Sequence, residues 1–215
     1  MHAMPQSRQG PEGHLSPFRA IREWRIDRMT DRIARRPHGR KARATYGDPE
    51  AHSFTWRPVL DALALEPGDR LLDVGCGGGV FMRHVRETVG CEVAGVDHSR
   101  DMVELSGGVY GDAGALPFAD RSFTAVSSIV AFFFFPDPVQ ALREMARVLD
   151  PGRGRIAIYT TAPEAKGTMA APYPLATRGH FYTDDELLAL AREAGFGSAR
   201  IAHREDWAQV LAAQP

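Results

Sequence analysis

The residues best suited to chemistry lie in one glycine-rich segment that begins with an acid. Asp73 precedes the run Gly75-Cys76-Gly77-Gly78-Gly79, which separates a short apolar stretch from a helical pattern. Glycine lets a ligand approach the backbone closely, and the N-terminus of a helix presents N–H groups. Such a strand, turn and helix are typical of a nucleotide-binding site.

The spacing of this segment argues against two classes of phosphate site. A dinucleotide fingerprint has a third glycine three residues after the second, but Val80 stands there. A Walker loop needs Gly-Lys-Ser/Thr, which is absent. Asp73 would also repel a pyrophosphate and attract an ammonium group. The segment therefore favours a ligand with a cationic amino group.

Two further acids follow short apolar stretches. Asp97 ends one of them, 18 residues after Gly79. A carboxylate there can accept hydrogen bonds from both hydroxyls of a ribose, and capping of the next helix is the alternative. Asp112 follows the next stretch, where it is either a ligand contact or a turn residue.

The elements that must position these acids alternate along the chain. Apolar stretches predict seven strands, at 71–74, 92–96, 109–111, 123–131, 155–159, 199–202 and 208–212. Helical patterns cover 18–36, 56–65, 80–89, 101–105, 139–149 and 183–193. Alternating strands and helices predict an α/β protein with a doubly wound, mostly parallel sheet. We divide the chain into a polar, mobile leader at 1–17, a helical segment at 18–66 and the main domain at 67–215.

Composition excludes several classes of protein. The chain has 215 residues, a net charge of -1 and two cysteines, so a polyanion-binding surface, a disulfide framework and a metal site are not predicted. The longest apolar run, 129–135, is far shorter than the roughly 20 residues of a membrane span. We predict a cytoplasmic protein without a membrane partner, and both monomer and homodimer remain open.

The arginine-rich stretch from Arg19 to Arg43 has two interpretations. It could be an arm for nucleic acid or an anionic membrane. Apolar residues interleave with the arginines at near-helical spacing, namely Ile21, Trp24, Ile26, Met29 and Ile33. This pattern favours an amphipathic helix with a solvated basic face.

The segment Leu71–Gly79 resembles motif I of the class I (Rossmann-like) methyltransferases that use S-adenosylmethionine (SAM). Further resemblances follow in the family's order, at 93–99, 111–118, 123–138, 142–152 and 181–196. Together they cover about residues 60 to 212 and are most similar to the small-molecule "methyltransferase type 11" group, which has many bacterial members. The resemblance implies a Rossmann-like sheet, SAM as cofactor and an N-terminal helical lid.

The resemblance also implies roles for individual residues. Gly75 and Gly77 would pack under the ribose and amino-acid tail, with Cys76 as a buried spacer between them. Asp73 and Ser128 would lie near the tail, and Asp97 at the ribose. The adenine would meet His98, Met102, Asp112 and Ala113, although Met102 could equally fill the core.

The acceptor side is less defined. Related sequences often carry polar or histidine residues where this chain has Phe133 and Phe134, so we expect an apolar substrate pocket and no histidine base from that motif. The catalytic residue is unknown, and the candidates are His180, Tyr182, His52 and Tyr46, each of which could instead be structural.

The sequence leaves three activities to compare. The first is methylation of a small molecule, and the second is a cyclase-like enzyme that retains SAM as a structural cofactor. Nucleic-acid methylation is the third, disfavoured by the near-neutral charge and by the lack of an Asn/Asp-Pro-Pro-Tyr motif after the fourth strand.

One connection in this chain is shorter than in the family that it resembles. Only 15 residues separate Asp97 from Asp112, although a parallel crossover usually needs a dozen or more for its connection alone. We predict a truncated helix near Ser106-Gly107-Gly108, or a numbering that closes over a missing loop.

Overall fold

A computed structural model describes residues 17–50 and 52–215, so nearly all of the predicted leader lies outside the described residues. The chain forms one seven-stranded sheet in the order β3-β2-β1-β4-β5-β7-β6. The strands are β1 Arg70–Val74, β2 Glu92–Asp97, β3 Val109–Tyr110, β4 Ala125–Ile129, β5 Arg155–Thr161, β6 Ser198–Glu205 and β7 Ala208–Gln214. The first five strands pair in parallel with one another. β7 is antiparallel to both of its neighbours, β5 and β6. The predicted doubly wound, mostly parallel α/β sheet is confirmed.

Seven α-helices accompany these strands in the described part of the chain. They are α1 Pro17–Thr30, α2 Gly39–Gly47, α3 Trp56–Leu63, α4 Val80–Thr88, α5 Arg100–Ser106, α6 Pro138–Val148 and α7 Asp184–Glu193. Two apolar layers cover the sheet, one containing Leu142, Met145 and Leu187, the other containing Val59 and Phe81. The central strands are buried on both faces, which explains their continuous apolar sequences.

Strand register gathers the ends of the central strands at one edge. Val74 is level with Val96, and Asp97 is level with Tyr110. β1, β2 and β3 therefore end at the same edge of the sheet, where the glycine turn begins. In open sheets of this kind, ligands bind beyond the carboxyl ends of the strands.

The short crossover after Asp97 is a truncated helix, as the first alternative predicted. α5 has seven residues. Gly107 ends it with φ +71°, and its N–H donates to the carbonyl of Val103 at 2.9 Å. A left-handed residue at this position favours glycine because it lacks a Cβ.

The arginine-rich segment forms helix α1, which continues as a π-helical turn over Asp31–Arg35. The predicted helix is present, but its interleaved apolar residues are not packed against the domain, since Ile21, Trp24, Met29 and Ile33 are exposed and only Ile26 is half-buried. The spacing of apolar residues predicts a helix, but it does not show whether another part of the protein packs against that helix. Across the described residues, we find no helix with the length and apolar character that a membrane crossing requires.

Candidate active site

A cavity of about 620 Å³ lies at the carboxyl edge of the sheet, within the usual range of about 300–1,000 Å³ for small-molecule sites. Its floor is made of the ends of β1 and β2 and of residues 111–113, which follow β3. The turn between β4 and α6 supplies one wall, and residues 31, 33–37, 46, 52 and 56 cover it from the N-terminal side. Met169, Ala170 and Pro172, from the loop after β5, complete the lining.

The glycine turn is shaped by hydrogen bonds within the protein. Gly75 and Cys76 donate their N–H groups to the carbonyl of Val96 at 2.8 and 3.1 Å. The N–H of Gly77 donates to Oδ2 of Asp97 at 2.9 Å. These three N–H groups are already satisfied within the protein, so they are not free donors for a ligand.

Close packing and backbone conformation both explain the glycines. Gly75 and Gly77 have φ values of +79° and +51°, which disfavour residues with a Cβ. A Cβ on Gly75 would lie 2.6 Å from the Cβ of Ala131, and one on Gly78 would lie 2.0 Å from the carbonyl oxygen of Tyr46. The turn is therefore held tightly between β4 and the N-terminal helices.

Asp73 is a buried carboxyl on the cavity floor. Its Oδ1 accepts a hydrogen bond from Oγ of Ser127 at 2.7 Å. Burial raises the pKa of Asp73 to about 7, because a charged carboxylate is poorly solvated there. A cation beside it would favour the ionised form.

Neither Ser127 nor the predicted Ser128 lines the cavity, but Ser127 contacts its floor through the hydrogen bond to Asp73. Ser128 is buried, does not line the cavity, and its hydroxyl has no hydrogen-bond partner among the described residues. Neighbouring residues of a strand point to opposite faces, and Ser127 is level with Asp73 in the adjacent strand. The strand register between β1 and β4 was the signal that the sequence alone lacked.

Asp97 stands at the end of β2 with its side chain buried on the cavity. It accepts hydrogen bonds from the N–H groups of Gly77 and Ser99 at 2.9 and 2.8 Å. Burial raises the pKa of Asp97 and those two hydrogen bonds oppose the rise. Ser99, not Asp97, caps α5, since its Oγ accepts from the N–H of Met102. Each oxygen of Asp97 keeps a further lone pair for a ligand.

The residues predicted at the adenine divide into two groups. His98, Asp112 and Ala113 line the cavity. Met102 does not line it and is fully buried in the core, so its alternative role as core filler is the one the structure supports. Asp112 uses Oδ1 to accept from the N–H of Gly114 at 2.7 Å, which leaves its other oxygen for a ligand.

Three phenylalanines form an aromatic wall, defined here as Phe133, Phe134 and Phe135. All three line the cavity, whereas Phe132 is fully buried in the core. The sequence had assigned Phe133 and Phe134 to the pocket. Phe135 was missed because the segment after β4 is a 3-10 turn over Phe132–Phe134, not a continued strand with alternating sides.

The four catalytic candidates also separate. Tyr46 and His52 line the cavity, and their ring centroids are 6.2 Å apart. His180 and Tyr182 stack on each other at 4.3 Å but do not line it. His180 is exposed and Tyr182 is buried in the core.

The N-terminal segment contributes lining residues that sequence reasoning did not assign. Arg36, Pro37 and Trp56 are among them. Oγ of Ser99 donates to the carbonyl of Pro37 at 2.6 Å, which fixes this segment over the end of β2. No motif identified these positions, since helices separate them from the glycine turn.

Comparison with known proteins finds similarity to methyltransferases. A family model described as "Methyltransferase domain" matches residues 72–158. Demethylmenaquinone methyltransferases of several Staphylococcus aureus strains are 34% identical over 126 residues, covering 53% of this chain and 52% of theirs. The chain thus spans about half the length of these curated relatives.

Solved structures share the fold. A SAM-dependent methyltransferase from Aquifex aeolicus has a TM-score of 0.62 and 20% identity, with 88% of this chain and 96% of that chain covered. The [4+2]-cyclase SpnF also scores 0.62 at 20% identity, with 78% and 84% covered. At these identities the likeness establishes fold alone. The chain therefore shares the class I methyltransferase fold, and its residues 72–158 match the model of a methyltransferase domain.

Proposed function

We propose that this protein is a SAM-dependent methyltransferase that acts on a small-molecule acceptor. One observation carries the proposal: a single cavity joins the buried carboxyls of Asp73 and Asp97 to the aromatic wall. Carboxyls suit a ligand with an ammonium group and ribose hydroxyls, and aromatic faces suit a sulfonium. The family match and the demethylmenaquinone methyltransferases, named for a small-molecule acceptor, support it.

The residues on the cavity floor fit SAM by chemistry. Asp73 would pair with the ammonium of the amino-acid tail. Asp97 would accept from the ribose hydroxyls through its remaining lone pairs. The free oxygen of Asp112 would accept from the adenine amine, and His98 and Ala113 would flank the ring.

Bound SAM supplies a methyl group that is already activated by its positive sulfur. The work left to the chain is to bind, orient and exclude water. The aromatic wall removes water from one side of the acceptor. A base is required only where the acceptor must lose a proton early in the reaction.

We further propose that residues 18–66 act as the lid over this cavity. Pro37 is bound to Ser99, and Gly39 donates its N–H to Oδ2 of Asp101 at 2.5 Å. Arg178, in the loop after β5, pairs with Glu23 and Asp27 of α1 at 2.5 and 2.8 Å. These contacts link the N-terminal helices to both sides of the cavity.

Calorimetry with SAM and its demethylated product, S-adenosylhomocysteine, tests the cofactor assignment. We expect both to bind, and folded protein with no affinity for either would overturn the proposal. Asp185→Ala is the matched control, since Asp185 is an exposed acid on α7 that does not line the cavity.

Methyl-labelled SAM with a metabolite extract then tests the reaction. We expect label in a small molecule. Turnover of a compound with SAM left intact would instead favour the cyclase-like alternative. The fold shared with SpnF is the observation that supports this alternative.

A further inference from the structure

The cavity has two chemically different halves. The floor half carries the acids Asp73, Asp97 and Asp112. A second set of lining residues, which we call the acceptor half, consists of the aromatic wall with His52 and Trp56. A charged acceptor would lose its hydration there without recovering it. An uncharged, apolar acceptor loses nothing comparable.

The aromatic wall is braced by further rings and by backbone. Phe133 stacks on Phe181 with ring centroids 5.3 Å apart and planes inclined by 14°. The rings of Phe133 and Phe134 are 4.5 Å apart. The carbonyl of Phe133 accepts from the N–H of His180 at 2.8 Å. A wall braced in this way presents fixed aromatic faces, which favour a flat molecule packed against them.

His52 is the basic side chain of the acceptor half. It is half-buried between aromatic neighbours, with the ring of Tyr46 at 6.2 Å and that of Phe54 at 6.4 Å. Within residues 17–50 and 52–215 the imidazole of His52 has no hydrogen-bond partner, whereas its carbonyl accepts from Oγ1 of Thr55 at 2.6 Å. Burial lowers the pKa of His52, so the imidazole is neutral at pH 7 and keeps one nitrogen lone pair.

Other polar groups near the acceptor half are committed elsewhere. Oη of Tyr46 donates to the carbonyl of Ile33 at 2.9 Å, and burial raises the pKa of Tyr46 to about 12, so it stays protonated. Arg35 and Asp31 pair at 2.9 Å. Arg36 is a cation with no lone pair to offer. Among the residues of the acceptor half, His52 is therefore the side chain that can accept a proton from the acceptor.

We propose that the acceptor half binds a flat, apolar molecule bearing an O–H or N–H group, and that His52 accepts that proton. The inference rests on the proposed function and names its substrate class. As the acceptor oxygen or nitrogen bonds to the methyl carbon, the methyl–sulfur bond breaks and its electron pair stays on sulfur. The acceptor's proton passes to His52 and then to water, so the positive charge moves from sulfur to imidazole.

Binding of probe molecules to the protein saturated with S-adenosylhomocysteine tests this proposal. The probes are 1-naphthol, which has an O–H, and 1-methoxynaphthalene, which has the same rings and no donor. Calorimetry should show 1-naphthol binding about tenfold more tightly, the worth of one hydrogen bond to a buried acceptor. His52→Leu should abolish that preference and leave binding of 1-methoxynaphthalene unchanged.

Two variants sharpen the test. His52→Gln keeps a hydrogen-bond acceptor without a useful base, so it should restore most of the preference for 1-naphthol. His180→Leu removes a histidine that lies outside the cavity and should change neither probe. Should His52→Leu fail to fold, the wild-type comparison of the two probes decides alone.

The possible failures are distinguishable. Protein that does not bind S-adenosylhomocysteine would overturn the proposed function itself. Protein that binds S-adenosylhomocysteine but binds neither naphthalene probe, or both equally, would overturn only the substrate class. A preference for 1-naphthol that survives in His52→Leu would remove His52 from the mechanism.

Discussion

The two halves of the cavity are built differently. The floor half is fixed by parallel strands, since Asp97 ends β2 and is held by the N–H groups of Gly77 and Ser99. The acceptor half is assembled from a turn, a loop and the N-terminal helices, which are distant in sequence. The sheet can hold one cofactor geometry while the surrounding segments vary with the acceptor. Changes in one half should therefore alter binding there and spare the other half.

The largest effect should come from Asp97→Ala in the floor half. It removes both the ribose contacts and the acceptor for the N–H of Gly77, and charge-assisted hydrogen bonds are worth about 1.5–3 kcal/mol each. We expect SAM affinity to fall on the order of 100-fold by calorimetry. Asp185→Ala should have little effect, and an equal loss in both variants would show that the change is not specific to the floor.

A smaller effect should follow from pH. The pKa of Asp73 is about 7 before a cation binds, so its carboxyl is protonated below that pH and cannot pair with an ammonium. SAM affinity should fall as the pH is lowered from about 7.5 to 5.5, approaching tenfold per unit at the acidic end. Adenosine, which has no amino-acid tail, serves as the control. The ratio of the two affinities should lose its pH dependence in Asp73→Asn.

In the acceptor half, Phe134→Ala should weaken binding of 1-naphthol by about fivefold, because a partly buried aromatic face is lost. SAM affinity should change less than twofold, because Phe133 and Phe135 still offer aromatic faces to the sulfonium. Calorimetry with each ligand gives both numbers. A variant that lost SAM and naphthol affinity together would contradict the separation of the two halves.

The smallest effect should come from Arg178→Ala. Its ion pairs with Glu23 and Asp27 are partly exposed, and such pairs contribute about 1 kcal/mol or less. Thermal stability should barely change, whereas hydrogen exchange of amides in residues 17–35 should accelerate as α1 loses this contact. Arg204→Ala, which removes exposed ion pairs away from the lid, should leave those amides unaffected.

The sequence was informative where function depends on local spacing. The glycine turn, Asp73, Asp97 and Asp112 belong to strand ends, and strand ends in a parallel sheet share one edge. It failed where a side chain's direction depends on its partners. Ser128 and Met102 were placed at the cofactor, but neither lines the cavity, and strand register puts Ser127 rather than Ser128 against Asp73.

The sequence by itself determined the sheet, its glycine turn and the acids around it, because periodicity and turn chemistry act over a few residues. Tertiary structure alone decided which distant segments close the cavity. It brought Tyr46 and His52 to the site, left His180 and Tyr182 outside and exposed the apolar side of α1. The physical reason is that such contacts depend on how whole elements pack, which no local pattern records.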